Sequence, residues 1–219
     1  MKKTVIFGIT PFSKLIRADM EEDGRPVAAY TVNRAYLPET WEEDIPVVAF
    51  EELREFFDDE PFEIILSVGY NKMNENRKTV FRQCDAFGYE IGSFIHSSAS
   101  CYASSMGRGN VILANCLVSR FVKLGDGNIL VNSTVIGHES EIGNFNFFAG
   151  MTTGGLVTVG DHCFLGMKSV VSNNVSVGDY TLLGAGTVLS KNSDAHTVVM
   201  PAKNRTMKLD VEAMGSLLV

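Results

Sequence analysis

Long apolar runs are missing from this sequence. No stretch approaches the ~20 consecutive apolar residues that a membrane-spanning helix requires, so no membrane partner is expected. The opening MKKTVIFGI is too short in its apolar part for a signal peptide and leads directly into a domain pattern, which argues for a cytoplasmic protein. Cysteine is scarce too. Cys84, Cys101, Cys116 and Cys163 show no CxxC or metal-ligand spacing, so reduced, packed thiols are expected and a bound metal is not. Positive charge is also in short supply: 19 Lys and Arg face 26 Asp and Glu, a formal net charge of −7. Without clustered Lys and Arg to contact phosphates, nucleic acid is not an expected partner. The remaining composition, 45% apolar and 21% charged over 219 residues, is that of a globular protein of one large or two modest domains.

What the sequence has in abundance is a period of six. A large apolar residue returns at Met106, Ile112, Val118, Leu124, Leu130, Ile136, Ile142 and Phe148, then at Val159, Leu165, Val171, Val177, Leu183 and Leu189. Glycine often follows it, as at Gly125, Gly137, Gly143, Gly160, Gly166, Gly178 and Gly184. Two positions before it the side chain is small or short, as at Cys116, Thr134, Ser140, Thr152, Cys163 and Ser169. Neither a helix nor a simple strand has this period, so the unit is one short strand plus one turn, stacked to bury a core that no single repeat could bury alone. The glycine answers a need for unusual φ/ψ or for close backbone approach at each corner.

Ahead of the repeat the pattern differs. KTVIFG (3–8), RPVAAYTVN (25–33), IPVVAF (45–50), EIILSVG (63–69) and YEIGSFIH (89–96) read as strands. Between them, residues 12–20, EELREFFDDE with Phe56 and Phe57 inward, and residues 71–88 read as helices. Strands alternating with helices predict a small doubly wound α/β domain over residues 1–97, followed by an all-β coil over 98–219. The boundary falls near Ser98, where SSASCYASSMGRG takes over.

The runs IGHESEIGNFNFFAG (136–150) and VGDHCFLGMKSVVSNNVSVGDYTLLGAGTVLSKN (159–192) resemble the hexapeptide-repeat acyltransferases. That resemblance implies a left-handed parallel β-helix and a homotrimer. With FIHSSA at the junction, FVKLGDGN, IGHE, and the late GAG and PAK elements, the layout is similar to the sialic acid O-acetyltransferase and bacillosamine N-acetyltransferase group. In that group a Rossmann-like domain holds a nucleotide-linked sugar and the β-helix holds acetyl-CoA. The function implied is acetyl transfer to a sugar amine or hydroxyl.

Such a transfer needs a base for the nucleophile's proton, a task suited to a histidine. His138 follows the corner glycine Gly137 and so projects outward, and the resemblance implies that Glu139, next to it, orients the ring. Backbone amides at glycine-rich turns offer donors for an oxyanion, which points to Gly150, Gly154 and Gly155. One residue is missing from the six-residue rhythm between Phe148 and Val159, read here as lying within MTTGGLVT. The resemblance places the coenzyme around Gly166, Met167, Gly184 and Ala185, with Lys191 or Lys203 near its phosphates. For the sugar nucleotide, GITPFSKL (8–15) keeps Gly8 but puts Pro11 where an amide donor is lost, with Ser13 and Lys14 as substitutes. Asn33 ends the second strand, and Gly69, Tyr70 and Asn71 follow a later one, where open α/β sheets collect ligands.

The other histidines are assigned less. His96 reads as structural, His162 as solvent-exposed, and His196 receives no role. Only His138 and His162 fall inside the coil, too few for the three-histidine zinc site of γ-type carbonic anhydrases. Phe145, Phe147 and Phe148 are expected beside His138, at least one outward against a neighbouring subunit. Two other readings remain open: an acyltransferase with a non-nucleotide acceptor, and a trimeric scaffold without catalysis.

Overall fold

The computed structural model describes residues 2–202 of the chain. Its first part is a parallel sheet of β1 (Lys3–Phe7), β2 (Ala29–Val32), β3 (Val47–Ala49), β4 (Phe62–Leu66) and β5 (Glu90–Ile91), in the order β3-β2-β1-β4-β5. The apolar runs of β1 and β4 follow from burial on both faces: Val5, Ile6, Ile64, Ile65 and Leu66 are all withdrawn from water. Chain order reverses beside β1, and a crevice opens at the carboxyl ends of β1, β2 and β4.

Helix α1 (Pro11–Glu22) follows β1, α2 (Leu53–Phe56) follows β3, and α3 (Glu75–Phe87) connects β4 to β5. Two expectations need correction here. The last helix starts at Glu75 and not at 71, because Lys72, Met73 and Asn74 all hold left-handed φ, at 52°, 48° and 66°, which a right-handed helix cannot contain. The EELREFFDDE segment yields the end of a 3-10 turn (Phe50–Glu52) and the four-residue α2, with Phe57 buried and Phe56 exposed.

The second part is a parallel β-helix with three faces. Face I stacks seven strands from Phe94–Ile95 to Val198–Val199, face II six from Ser100–Cys101 to Val188–Leu189, and face III five from Ser105–Met106 to Ser176–Val177. Phe94 pairs with Val111, so the coil begins four residues before the expected boundary at 98. Every inward position of the six-residue rhythm from Ile112 to Leu189 is buried in one continuous core, each large aliphatic contributing about 1.5–3 kcal/mol by leaving water. Asparagines fill the small inward slot between faces III and I, where Asn110, Asn128 and Asn146 each accept a backbone N–H from the next coil at 2.7–2.9 Å.

Close approach, more than left-handed φ, explains the recurring glycines. A Cβ at Gly125 would lie 2.6 Å from the Gly143 carbonyl oxygen of the next coil. The left-handed residues are mostly others: Phe121, Glu139, Leu156 and Asn174 turn the corner between faces II and III.

The missing residue is found in a different place from the one expected. Between Ser105 and Phe147 successive coils pair eighteen residues apart, but Val135 pairs with Thr152, seventeen on. The turn after Phe148 has only Ala149 and Gly150, so Met151 and not Thr152 takes the small inward slot, and Thr153 takes the large one. Gly150 supplies the left-handed residue of this shortened turn, at φ 62°.

Face I is covered by the α/β part, Phe94, Val111 and Ile129 joining Ile6, Ile16, Met20 and Ile65 in one apolar cluster. Helix α3 locks the two parts at the corner between faces III and I. Arg77, fully buried, donates to five carbonyls: Gly127 (2.7 Å), Val68 (2.8 Å), Gly69 (3.2 Å), Phe145 and Asn146 (both 3.0 Å). Burial pushes its guanidinium down to about 9, which leaves it charged at neutral pH. No helix among the described residues is long and apolar enough to cross a membrane.

Candidate active site

His138 stands outward at the corner between faces II and III, its side chain 61% exposed. Glu139, turned left-handed at φ 56°, holds its carboxylate 3.4 Å from His138 Nδ1. That leaves Nε2 as the ring atom available to a proton on a bound substrate. The ring lies over Gly155 of the next coil: a Cβ at Gly155 would overlap Nε2 and meet Cε1 and Cδ2 at 2.7 and 2.8 Å. Gly155 is a floor for the imidazole, a role that no local sequence signal announces.

The same contacts revise the expected oxyanion donors. The amide of Gly155 donates to Asn173 Oδ1 (3.0 Å), that of Gly154 to the Val171 carbonyl (2.8 Å) and that of Gly150 to Thr134 Oγ1 (3.2 Å). All three hydrogens are committed within the chain, and Gly150 sits at a different corner from His138.

His138, Gly155, Asn173 and Lys191 form one column, one residue per coil, because pairing advances by seventeen or eighteen. Three steps at ~4.8 Å put Lys191 about 14 Å along the corner from His138. Gly166, Met167, Gly184 and Ala185 lie at the other edge of face II, between faces I and II. There Gly166 and Gly184 are buried and packed against neighbouring backbone and Met200, while Met167 and Ala185 face outward. Lys203 lies outside the described residues.

The crevice of the α/β part holds about 520 Å³ and takes in Asn33. Most of the other expected substrate residues lie elsewhere. Ser13 is fully buried, capping α1 with Thr10 and sharing a 2.7 Å hydrogen bond with Ser67. Lys14 is paired with Glu43. A Cβ at Gly8 would meet Ser67 Oγ at 2.6 Å, so this glycine serves the packing of α1 on the sheet. The Gly69 carbonyl accepts from Arg77, Tyr70 packs its ring on Phe147 and Phe164, and Asn71 is exposed away from the crevice lining. The sequence reading missed Lys72, Asn76, Thr79 and Gln83, which line it from the α3 side. The i, i+3/i+4 spacing of 76, 79 and 83 was the available signal for the helix residues, whereas Lys72 lies in the left-handed turn before α3.

Two aromatic expectations also change. Phe147 and Phe148 are buried and Phe145 turns the corner between faces III and I, so none of them flanks His138. His162 is buried and not solvent-exposed, stacked between Phe145 (5.4 Å) and Tyr180 (4.8 Å) with Nε2 3.5 Å from Glu75. Burial pushes its imidazole below its ordinary value, with Glu75 opposing. His96 is held by Ser98 at 3.0 Å in a structural contact. Among the described residues no three His, Cys, Asp or Glu side chains are grouped as metal ligands.

Residues 157–191 match the family described as bacterial transferase hexapeptide (six repeats). That match lies within the last coils of the β-helix. A comparison of sequences with curated proteins finds no match. Solved structures do share its fold. PerB from Caulobacter crescentus, in complex with CoA and GDP-perosamine, is 23% identical with a TM-score of 0.81, over 91% of this chain and 94% of that one. The acetyltransferase domain of PglB from Neisseria gonorrhoeae, in complex with acetyl coenzyme A, is 22% identical with a TM-score of 0.80, over 92% and 98%. WeeI from Acinetobacter baumannii is 17% identical with a TM-score of 0.78, over 91% and 97%. The coverage and TM-scores show that the fold, an α/β part joined to a parallel β-helix, is common to all of them.

Proposed function

We propose that this protein is an acetyl-CoA-dependent acetyltransferase acting on an amino or hydroxyl group of a nucleotide-activated sugar, with His138 as general base. The observation that carries the reading is the exposed His138 ring, seated on Gly155 with Glu139 at its far nitrogen. An imidazole so held takes the proton from the acceptor through Nε2, and Glu139 favours the imidazolium that forms. Bound coenzyme supplies the acetyl thioester. In this reading Lys191, in the same column, meets its phosphates at the end of an extended pantetheine arm. The relatives that bind CoA, acetyl-CoA and GDP-perosamine support this choice of ligands. Four free cysteines suit a cytoplasmic setting.

We read the coil as left-handed, the α/β part as Rossmann-like, and the working form as a homotrimer. In a triangular coil, the corner bearing His138 is the vertex opposite face I, which carries the α/β crevice. One chain therefore does not bring its crevice to its own His138. Face II and its two edges expose Phe121 (65%), Leu156 (50%), Met167 (66%) and Val188 (65%), whereas the outward row of face III is Ser105, Lys123, Glu141, Thr158 and Ser176. An apolar face of this kind seeks cover. A second copy laid on it sets the edge carrying Met167 and Ala185 against the corner carrying His138.

The test is calorimetry with acetyl-CoA together with thiol release in the presence of UDP-, dTDP-, GDP- and CMP-linked amino and deoxy sugars. We expect coenzyme binding, turnover with one sugar nucleotide, and a ~100-fold loss of turnover in His138→Ala with coenzyme binding retained. An unchanged rate removes His138 from the mechanism. Coenzyme binding without any sugar nucleotide redirects the acceptor to another class, an outcome the engaged amides around α1 keep in view. Binding of neither leaves a scaffold.

A further inference from the structure

Phosphates at the crevice of an open α/β sheet ordinarily rest on free amides where the first helix begins. Here most of that seat is taken up by the chain itself, the Phe12 amide excepted. Pro11 brings no N–H, the Ser13 amide donates to Thr10 Oγ1 at 3.3 Å, and the Lys14 amide donates to the Thr10 carbonyl at 3.1 Å. Gly8 donates to the Thr31 carbonyl at 2.9 Å, and the space beside its Cα is occupied by the hydroxyls of Ser67 and Ser13. The nearby ammonium of Lys14 is paired with Glu43.

The crevice nevertheless has one positive charge in its lining. Phe7, Val32, Val68 and Val80 form an apolar floor, and the carboxamides of Asn33, Asn76 and Gln83 stand around it. Lys72 is the cation among these lining residues, and no carboxylate is among them. It is exposed and forms no ion pair among the described residues. Its placement comes from the left-handed turn 72–74, which the sequence would not adopt by local preference. The turn is pinned from the coil: Asn74, fully buried, donates Nδ2 to the Cys163 carbonyl at 3.1 Å, and the Met73 carbonyl meets His162 Nδ1 at 3.2 Å.

We infer that Lys72 is the phosphate-binding cation of this crevice, taking the diphosphate of a nucleoside diphosphate sugar while the base lies over the apolar floor among the three carboxamides. The inference rests on the nucleotide-sugar reading above and moves the charge that meets the diphosphate from the β1–α1 loop to the loop before α3. A single ammonium on a flexible stem makes binding depend on the phosphates and on salt.

The experiment is calorimetry of the full chain with UDP, GDP, CDP and dTDP, with the matching nucleosides, and with CoA as a reference ligand. For whichever diphosphate binds the wild type, Lys72→Met is expected to weaken it at least tenfold, leaving nucleoside and CoA binding within about twofold. Lys72→Arg keeps most of the affinity, Lys14→Met changes none of it, and the salt dependence flattens in Lys72→Met. Unchanged diphosphate affinity in Lys72→Met overturns the inference and leaves the nucleotide reading standing. Equal loss of nucleoside binding also overturns it, since Lys72 then acts on the shape of the crevice. A wild type that binds CoA but none of the diphosphates refutes the nucleotide reading itself.

Discussion

His138 and Gly155 belong together at the scale of single residues, although they are seventeen positions apart and in different repeats. The imidazole occupies the space a side chain at 155 would need, so Gly155→Ala acts on the ring and not on the backbone, whose φ there is an ordinary one. We expect at least a tenfold loss of kcat from this misplacement, with little change in Tm or coenzyme affinity. Added to His138→Ala, the same substitution costs nothing more, because the two act as a unit. A full additive loss in the double variant would show that Gly155 serves something other than the ring. Lys14 and Ser13 give the converse lesson. Both have the chemistry for phosphate binding, and both are occupied, one by Glu43 and the other by Thr10 and Ser67.

Helix α3 is the element that joins the two halves. Its first turn faces the coil through Asn74, Glu75 and Arg77, while Asn76, Thr79 and Gln83 face the crevice. Glu75 accepts from the Tyr180 hydroxyl at 2.5 Å and faces His162, with Lys78 and Asp161 the other charges nearby. Burial holds His162 below its ordinary 6.5, so the folded protein disfavours the imidazolium and the unfolded chain takes the proton first. This contribution to stability is present above about pH 6.5 and is lost as pH falls through the lower folded value. Glu75 is lowered from 4.5 by its bond to Tyr180, and Tyr180 is raised to about 12, so neither titrates in that window. We expect Tm to fall as pH drops below about 6.5, and His162→Phe, which keeps the ring stack, to flatten that fall. A variant with the wild-type slope would exclude His162 as its source.

At the scale of the whole molecule, the crevice and His138 lie on opposite sides of the coil, so the proposed reaction calls for a second chain to complete its site. The outward rows differ: face III carries the Lys123–Glu141 ion pair at 2.7 Å, face II carries valines and is bordered by Phe121 and Leu156. Mixed oligomers are the direct check. His138→Ala chains and Lys72→Met chains, each impaired alone, are expected to regain activity when unfolded and refolded together, since some interfaces then pair an intact crevice with an intact histidine. No recovery, or a monomer by light scattering, would contradict a site shared between chains.

The sequence by itself determined the coil, because its core positions recur every six residues and each is set by the same local strand and turn. It determined the outward placement of His138 as well, through the corner glycine before it. The break in rhythm between Phe148 and Val159 was legible too, but its position was not, since Met151 and Thr152 are both able to fill a small slot. Tertiary structure decided the rest: that His162 is buried, that Gly155 is a floor, that Ser13 is sealed and Lys72 left open. Each of those depends on groups brought together from one coil away or from the other half of the chain, and a side chain's availability is set by what folding places against it.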